Sequence, residues 1–177
     1  MEIKIIQDED PESPREWDNL GTMVCWHRNY NLGDKNEFAS NEAFLEWWRN
    51  NGAGGILLPL YLYDHSGITM STGPFWCPWD SGQVGWIYVT AEKIRQEYSV
   101  KRISHANRTR ARQVLEGEVQ TYDQYLTGDV WGFVIEHEGA HLESCFGMFG
   151  RGYCQQQAEE AAKHIDVSNL EAAVNVP

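Results

Sequence analysis

The stretch from Gly55 to Thr90, GILLPLYLYDHSGITMSTGPFWCPWDSGQVGWIYVT, constrains the fold more than any other part of the chain. Ile56–Tyr63 and Ile68–Thr72 are apolar runs of strand length, separated by Asp64-His65-Ser66-Gly67. Short Asp/Ser/Gly clusters between such runs form turns, so the pattern predicts a β-hairpin. Trp76 and Trp79 follow in a Pro-broken segment. An Asp80-Ser81-Gly82 turn then leads into a further strand, Gln83–Val89.

The flanking sequence mixes both periodicities. Ile3 and Ile5 alternate in a first strand at Glu2–Ile6, and Gly21–Trp26 suits a second. Ser40 can cap a helix whose inner face is Phe44, Leu45 and Trp48, ended by Asn51-Gly52. Thr90 caps a short helix carrying Ile94 and Tyr98. The longest helix is expected over 104–126, with Val114, Leu115, Val119, Tyr122 and Leu126 as its buried stripe and Gly128 as its stop. Its early arginines should face solvent. Val130–Ile135 and Leu142–Met148 read as strands, Tyr153–Ile165 as a helix, and Ser168 with Glu171 as the capping box of a final short helix. Close strand pairs joined by short turns, with helices between, predict one α+β domain over 1–177. It should hold a mainly antiparallel sheet and about four helices.

A chain of 177 residues buries enough surface to fold without disulfide or metal support. Its four cysteines, at 25, 77, 145 and 154, show no Cys-x-x-Cys pair. MEIKIIQDEDPE lacks the apolar core of a signal peptide, and Ile56–Tyr63 is too short to cross a bilayer. The expectation is a cytoplasmic protein with reduced thiols, no cofactor and no membrane partner.

The net charge is −12, and acids crowd the first eighteen positions. A local basic segment holds Lys101, Arg102, Arg108, Arg110 and Arg112. An acidic body repels nucleic acid and attracts basic protein surfaces, which argues against direct nucleic-acid binding. Asp8, Glu9, Asp10 and Glu12 are the candidate acidic contacts. Trp76 and Trp79 are candidate anchors, because Trp is favoured at interface hot spots.

His137-Glu138-Gly139-Ala140-His141 matches the zinc-protease pattern H-E-x-x-H, and Glu159 stands at a third-ligand separation. That chemistry requires a helix, which puts both imidazoles on one face. The surroundings, Trp131-Gly132-Phe133-Val134-Ile135 and Ser144–Gly150, are strand-like and glycine-containing. A hairpin turning at Glu138-Gly139 is therefore expected instead, with the histidines split by the turn. Asp64-His65 and Asp80-Ser81 could supply acid–base or nucleophilic groups, but they are also ordinary turn residues. Cys25, His27 and Asp34 are too few for a diagnostic metal set. The basic segment could touch phosphates, although an exposed helix start also accounts for it.

Several segments carry a resemblance. They are Pro14–Cys25, Tyr30–Asp34, the Leu58–Thr90 block, Leu115–Glu118, Tyr122–Val130 and Ser144–Gly147. Together they resemble a family of small uncharacterised proteins of bacteriophages, plasmids and their bacterial hosts. The resemblance carries over no catalytic residues, and in that family the segment matching 137–141 is a variable acidic turn. A mobile-element setting and acidic charge imply an anti-defence role. The implied protein is a non-enzymatic inhibitor of a basic host partner such as a CRISPR or restriction nuclease. A zinc-dependent hydrolase and a nucleic-acid-binding regulator are the alternatives.

Overall fold

The computed structural model describes residues 1–165. The helix expected around Ser168 and Glu171 lies outside them. In chain order the strands are β1 (Glu2–Gln7), β2 (Thr22–Cys25), β3 (Ile56–Asp64), β4 (Ile68–Ser71), β5 (Ser81–Val89), β6 (Val130–His137) and β7 (Ala140–Phe149). The helices are α1 (Asn41–Asn51), α2 (Ala91–Glu97), α3 (His105–Leu126) and α4 (Arg151–His164), and Pro14–Glu16 forms a 3-10 turn. The fold is α+β with antiparallel strand pairing throughout and four α-helices among the described residues. The chain divides into two compact units. One is Met1–Glu12 with the chain from Gly128 onward; the other is Ser13–Thr127.

The Ser13–Thr127 unit is built on a sheet of order β2-β5-β3-β4. Alternate β3 residues Leu58, Leu60 and Leu62 are buried, as are Ile87 and Val89 of β5. They share one core with Leu115, Val119 and Tyr122 of α3. The buried stripe of α3 is Ala111, Leu115, Val119 and Tyr122. Val114, expected inside, is 37% exposed. It precedes Leu115 by one residue, about 100° around a helix, so a stripe centred on Leu115 turns it outward. The β3–β4 hairpin pairs Asp64 with Ile68, as its turn residues require.

Helix α1 supplies an aromatic cluster. Ser40 caps it by accepting the Ala43 amide. Its Phe44 is fully buried, with ring centroids of Phe38 and Tyr88 5.3 Å away and Trp26 6.0 Å away. Gly85 of β5 sits against β2, where an added Cβ would run into the Val24 carbonyl oxygen.

The other unit is a sheet of order β1-β6-β7 packed against α4. Phe133, Ile135, Cys154 and Ala158 are its buried centre, flanked by Ile3 and Ile5. Strands β6 and β7 meet at a two-residue turn, with His137 paired to Ala140. Glu138 and Gly139 have φ of 50° and 82°, the positive values that a type I′ hairpin turn needs at both positions.

Candidate functional site

Pro74 and Pro78 deprive the segment between β4 and β5 of backbone donors, so it loops out instead of pairing. Local bonds hold the loop in shape. The Ser81 hydroxyl donates to the Cys77 carbonyl at 2.5 Å, and the Cys77 thiol donates to Asp80 Oδ2 at 3.6 Å. Gly73 N donates to Ser71 Oγ at 3.1 Å. Trp76 and Trp79 are left 91% and 92% exposed. No other large apolar side chain among the described residues comes near these values.

Beside the loop lies a cleft of about 540 Å³, whose lining includes Trp79, Asp64, Asp80, His27 and Arg28 over an apolar floor at Leu62. The two carboxylates arrive on different strands. Tyr63 of β3 pairs with Ser81 of β5, and Asp64 N donates to the Asp80 carbonyl at 2.8 Å, which extends the ladder by one rung. Asp64 and Asp80 therefore stand opposite each other. Tyr30 Oη donates to Asp64 Oδ1 at 3.2 Å, and the Tyr30 ring stacks on His27 at 5.0 Å. His65 Nδ1 lies 3.4 Å from Asp80 Oδ2. Burial raises the Tyr30 pKa, and the Asp64 carboxylate adds to the rise, so the phenol stays a proton donor to Asp64.

The acidic candidates fall in the other unit. Asp8 is a structural acceptor, receiving the amides of Gly147 at 3.0 Å and Asp10 at 3.2 Å. Glu9, Asp10 and Glu12 are exposed. Met1–Glu12 and the chain from Gly128 carry thirteen acids against three bases, while Ser13–Thr127 carries thirteen against eleven. Nearly all of the net charge thus belongs to the first of these units.

The H-E-x-x-H match is a hairpin. Cross-strand pairs are His137 with Ala140 and Glu136 with His141, so the two imidazoles point to opposite faces. Glu159 lies on α4, where its carboxylate accepts from Gln155 at 2.7 Å. Among the described residues no three His, Cys, Asp or Glu side chains are grouped to hold a metal ion. The arginines of α3 face solvent as expected, and each also has a contact. Arg108 donates to the Gly54 and Gly55 carbonyls, Arg110 lies 5.3 Å over the Tyr98 ring, and Arg112 pairs with Glu116 at 3.0 Å. No described helix is long and apolar enough to cross a membrane.

The most heavily bonded polar cluster was not among the sequence candidates. The Arg15 side chain, 4% exposed, joins Asp34 at 2.7 Å and Glu118 at 3.1 Å. Glu118 also accepts the Leu20 and Gly21 amides, and Asp34 accepts the Met23 amide at 2.8 Å. Every charge here is satisfied, which marks a structural clamp. The Pro14–Cys25, Tyr30–Asp34 and Leu115–Glu118 segments meet in it.

No family model, curated protein or solved structure matches the chain.

Proposed function

We propose that the chain is a non-enzymatic binding protein that inhibits a nuclease of host defence, a CRISPR or restriction effector, by occupying its basic surface. The observation that carries this reading is the pair of indoles at Trp76 and Trp79, 91% and 92% exposed on one loop. Large exposed aromatics are costly in water and mark interaction surfaces, where Trp supplies much of the binding energy. The concentration of acids in the unit containing Met1–Glu12 adds long-range attraction for a basic partner. The choice of a nuclease as target comes from the resemblance to mobile-element proteins.

The test is capture of partners from host lysate at low and high salt, followed by assays of the captured nuclease. Trp76→Ala, Trp79→Ala and a charge-reversed Glu9/Asp10/Glu12 variant should each weaken capture and inhibition. Unchanged capture in all three would reject this surface, and the absence of any inhibited nuclease would reject the anti-defence role.

A further inference from the structure

From the geometry we infer that the cleft beside Trp79 is a receptor for a Lys or Arg side chain presented by a protein partner. This rests on the protein-binding reading above and names the chemistry that the site selects. Three observations carry it. First, Asp64 and Asp80 occupy directly opposed positions of an antiparallel pair, joined by the 2.8 Å bond from Asp64 N to the Asp80 carbonyl. That bond brings the two residues side by side on the cleft that both line. Second, no Lys or Arg among the described residues forms an ion pair with either carboxylate. Arg28 lines the same cleft, yet it is bonded to neither. Third, Trp79 walls the cleft with an indole 92% exposed.

In the free protein the two carboxylates lack a Lys or Arg partner, and the base beside them is the His65 imidazole, 3.4 Å from Asp80 Oδ2. A guanidinium or ammonium entering between them balances their charge, donates charge-assisted hydrogen bonds to both and lies against the indole face. Asp64 Oδ1 is already oriented by Tyr30, and Asp80 Oδ2 by the Cys77 thiol. Each carboxylate keeps its other oxygen for the incoming group. An Arg side chain suits the site better than Lys, because its planar fork can engage both acids while stacking on Trp79.

The experiment is calorimetric titration of the full chain with tetra-arginine amide, with tetra-glutamate as the negative probe. Asp64→Asn/Asp80→Asn should weaken tetra-arginine binding at least about tenfold, and Trp79→Ala should weaken it similarly. Glu46→Gln/Glu97→Gln removes the same charge elsewhere in the unit and should cost less than about threefold. Equal losses in the two double variants would reduce the effect to net charge and overturn the inference. Stabilisation by calcium chloride but not by tetra-arginine would overturn it too. If host-partner capture survives in Asp64→Asn/Asp80→Asn but is lost in Trp76→Ala/Trp79→Ala, the docking loop stands and the cationic receptor falls. If the tetra-arginine difference holds while no nuclease is inhibited, the receptor stands and the proposed function falls.

Discussion

Arg15 and Asp34 form a two-point ion pair: Nε donates to Oδ1 at 2.8 Å and Nη2 to Oδ2 at 2.7 Å. Burial alone would lower the Arg15 pKa, but Asp34 and Glu118 outweigh it and raise the value, so the charge is held. The pair ties the 3-10 turn to the Gly33 bend, and Glu118 extends it to α3. Removing the guanidinium strands two largely buried carboxylates. Arg15→Ala should cost about 3–5 kcal/mol of stability in urea denaturation. Arg15→Lys should recover only part of that, since lysine lacks the planar fork.

The register of α3 can be tested with neighbouring residues. Leu115 is fully buried and Val114 is 37% exposed. Leu115→Ala should cost about 2–5 kcal/mol, whereas Val114→Lys should stay within about 0.5 kcal/mol. Equal losses would place the helix in the register expected from the sequence.

Cys25 offers a pH-dependent readout. Burial, reinforced by Asp34, pushes its thiol up to about 12. Its ordinary value is about 8.5. The unfolded chain therefore loses this proton first, so this contribution to stability is full below the unfolded value and declines as pH rises toward the folded one. At mildly alkaline pH, iodoacetamide should label exposed Cys145 first and Cys25 only on unfolding. Mass spectrometry of the labelled peptides checks the order.

At the β6–β7 turn, Glu138 adopts φ of 50° beside Gly139. Asn tolerates that conformation better than Glu, so Glu138→Asn should stabilise the protein by about 0.5 kcal/mol. The same substitution removes the glutamate that the H-E-x-x-H chemistry would need to activate a zinc-bound water. Zinc uptake in equilibrium dialysis should be equally low in both proteins; stoichiometric zinc lost in His137→Ala would contradict the hairpin reading.

Trp76→Ala and Trp79→Ala should each change stability by no more than about 0.5 kcal/mol, since the indoles contribute little to packing. Thermal melts should overlay the parent while partner capture falls. A large loss of stability would mean that the indoles are packed in solution.

The sequence by itself determined the elements that local chemistry controls. An apolar run of strand length placed β3, the Asp64–Gly67 and Glu138–Gly139 turns demanded hairpins, and Ser40 and Thr90 capped α1 and α2. Strand context was also enough to deny the H-E-x-x-H segment its helix. Contacts between distant residues were decided only by tertiary structure. Arg15 and Glu118 lie 103 residues apart, and no local pattern distinguishes such a buried charge from a solvated one. Composition places aromatic side chains in the core, yet Trp76 and Trp79 stand in water because prolines and local loop bonds keep their segment out of the sheet. Asp64 and Asp80 each read as an ordinary turn residue. Their opposition arises from the pairing of β3 with β5, whose register includes a bulge after Leu60. A one-residue slip in that register would send one carboxylate to the other face, so the like-charge pair exists only once the sheet has formed.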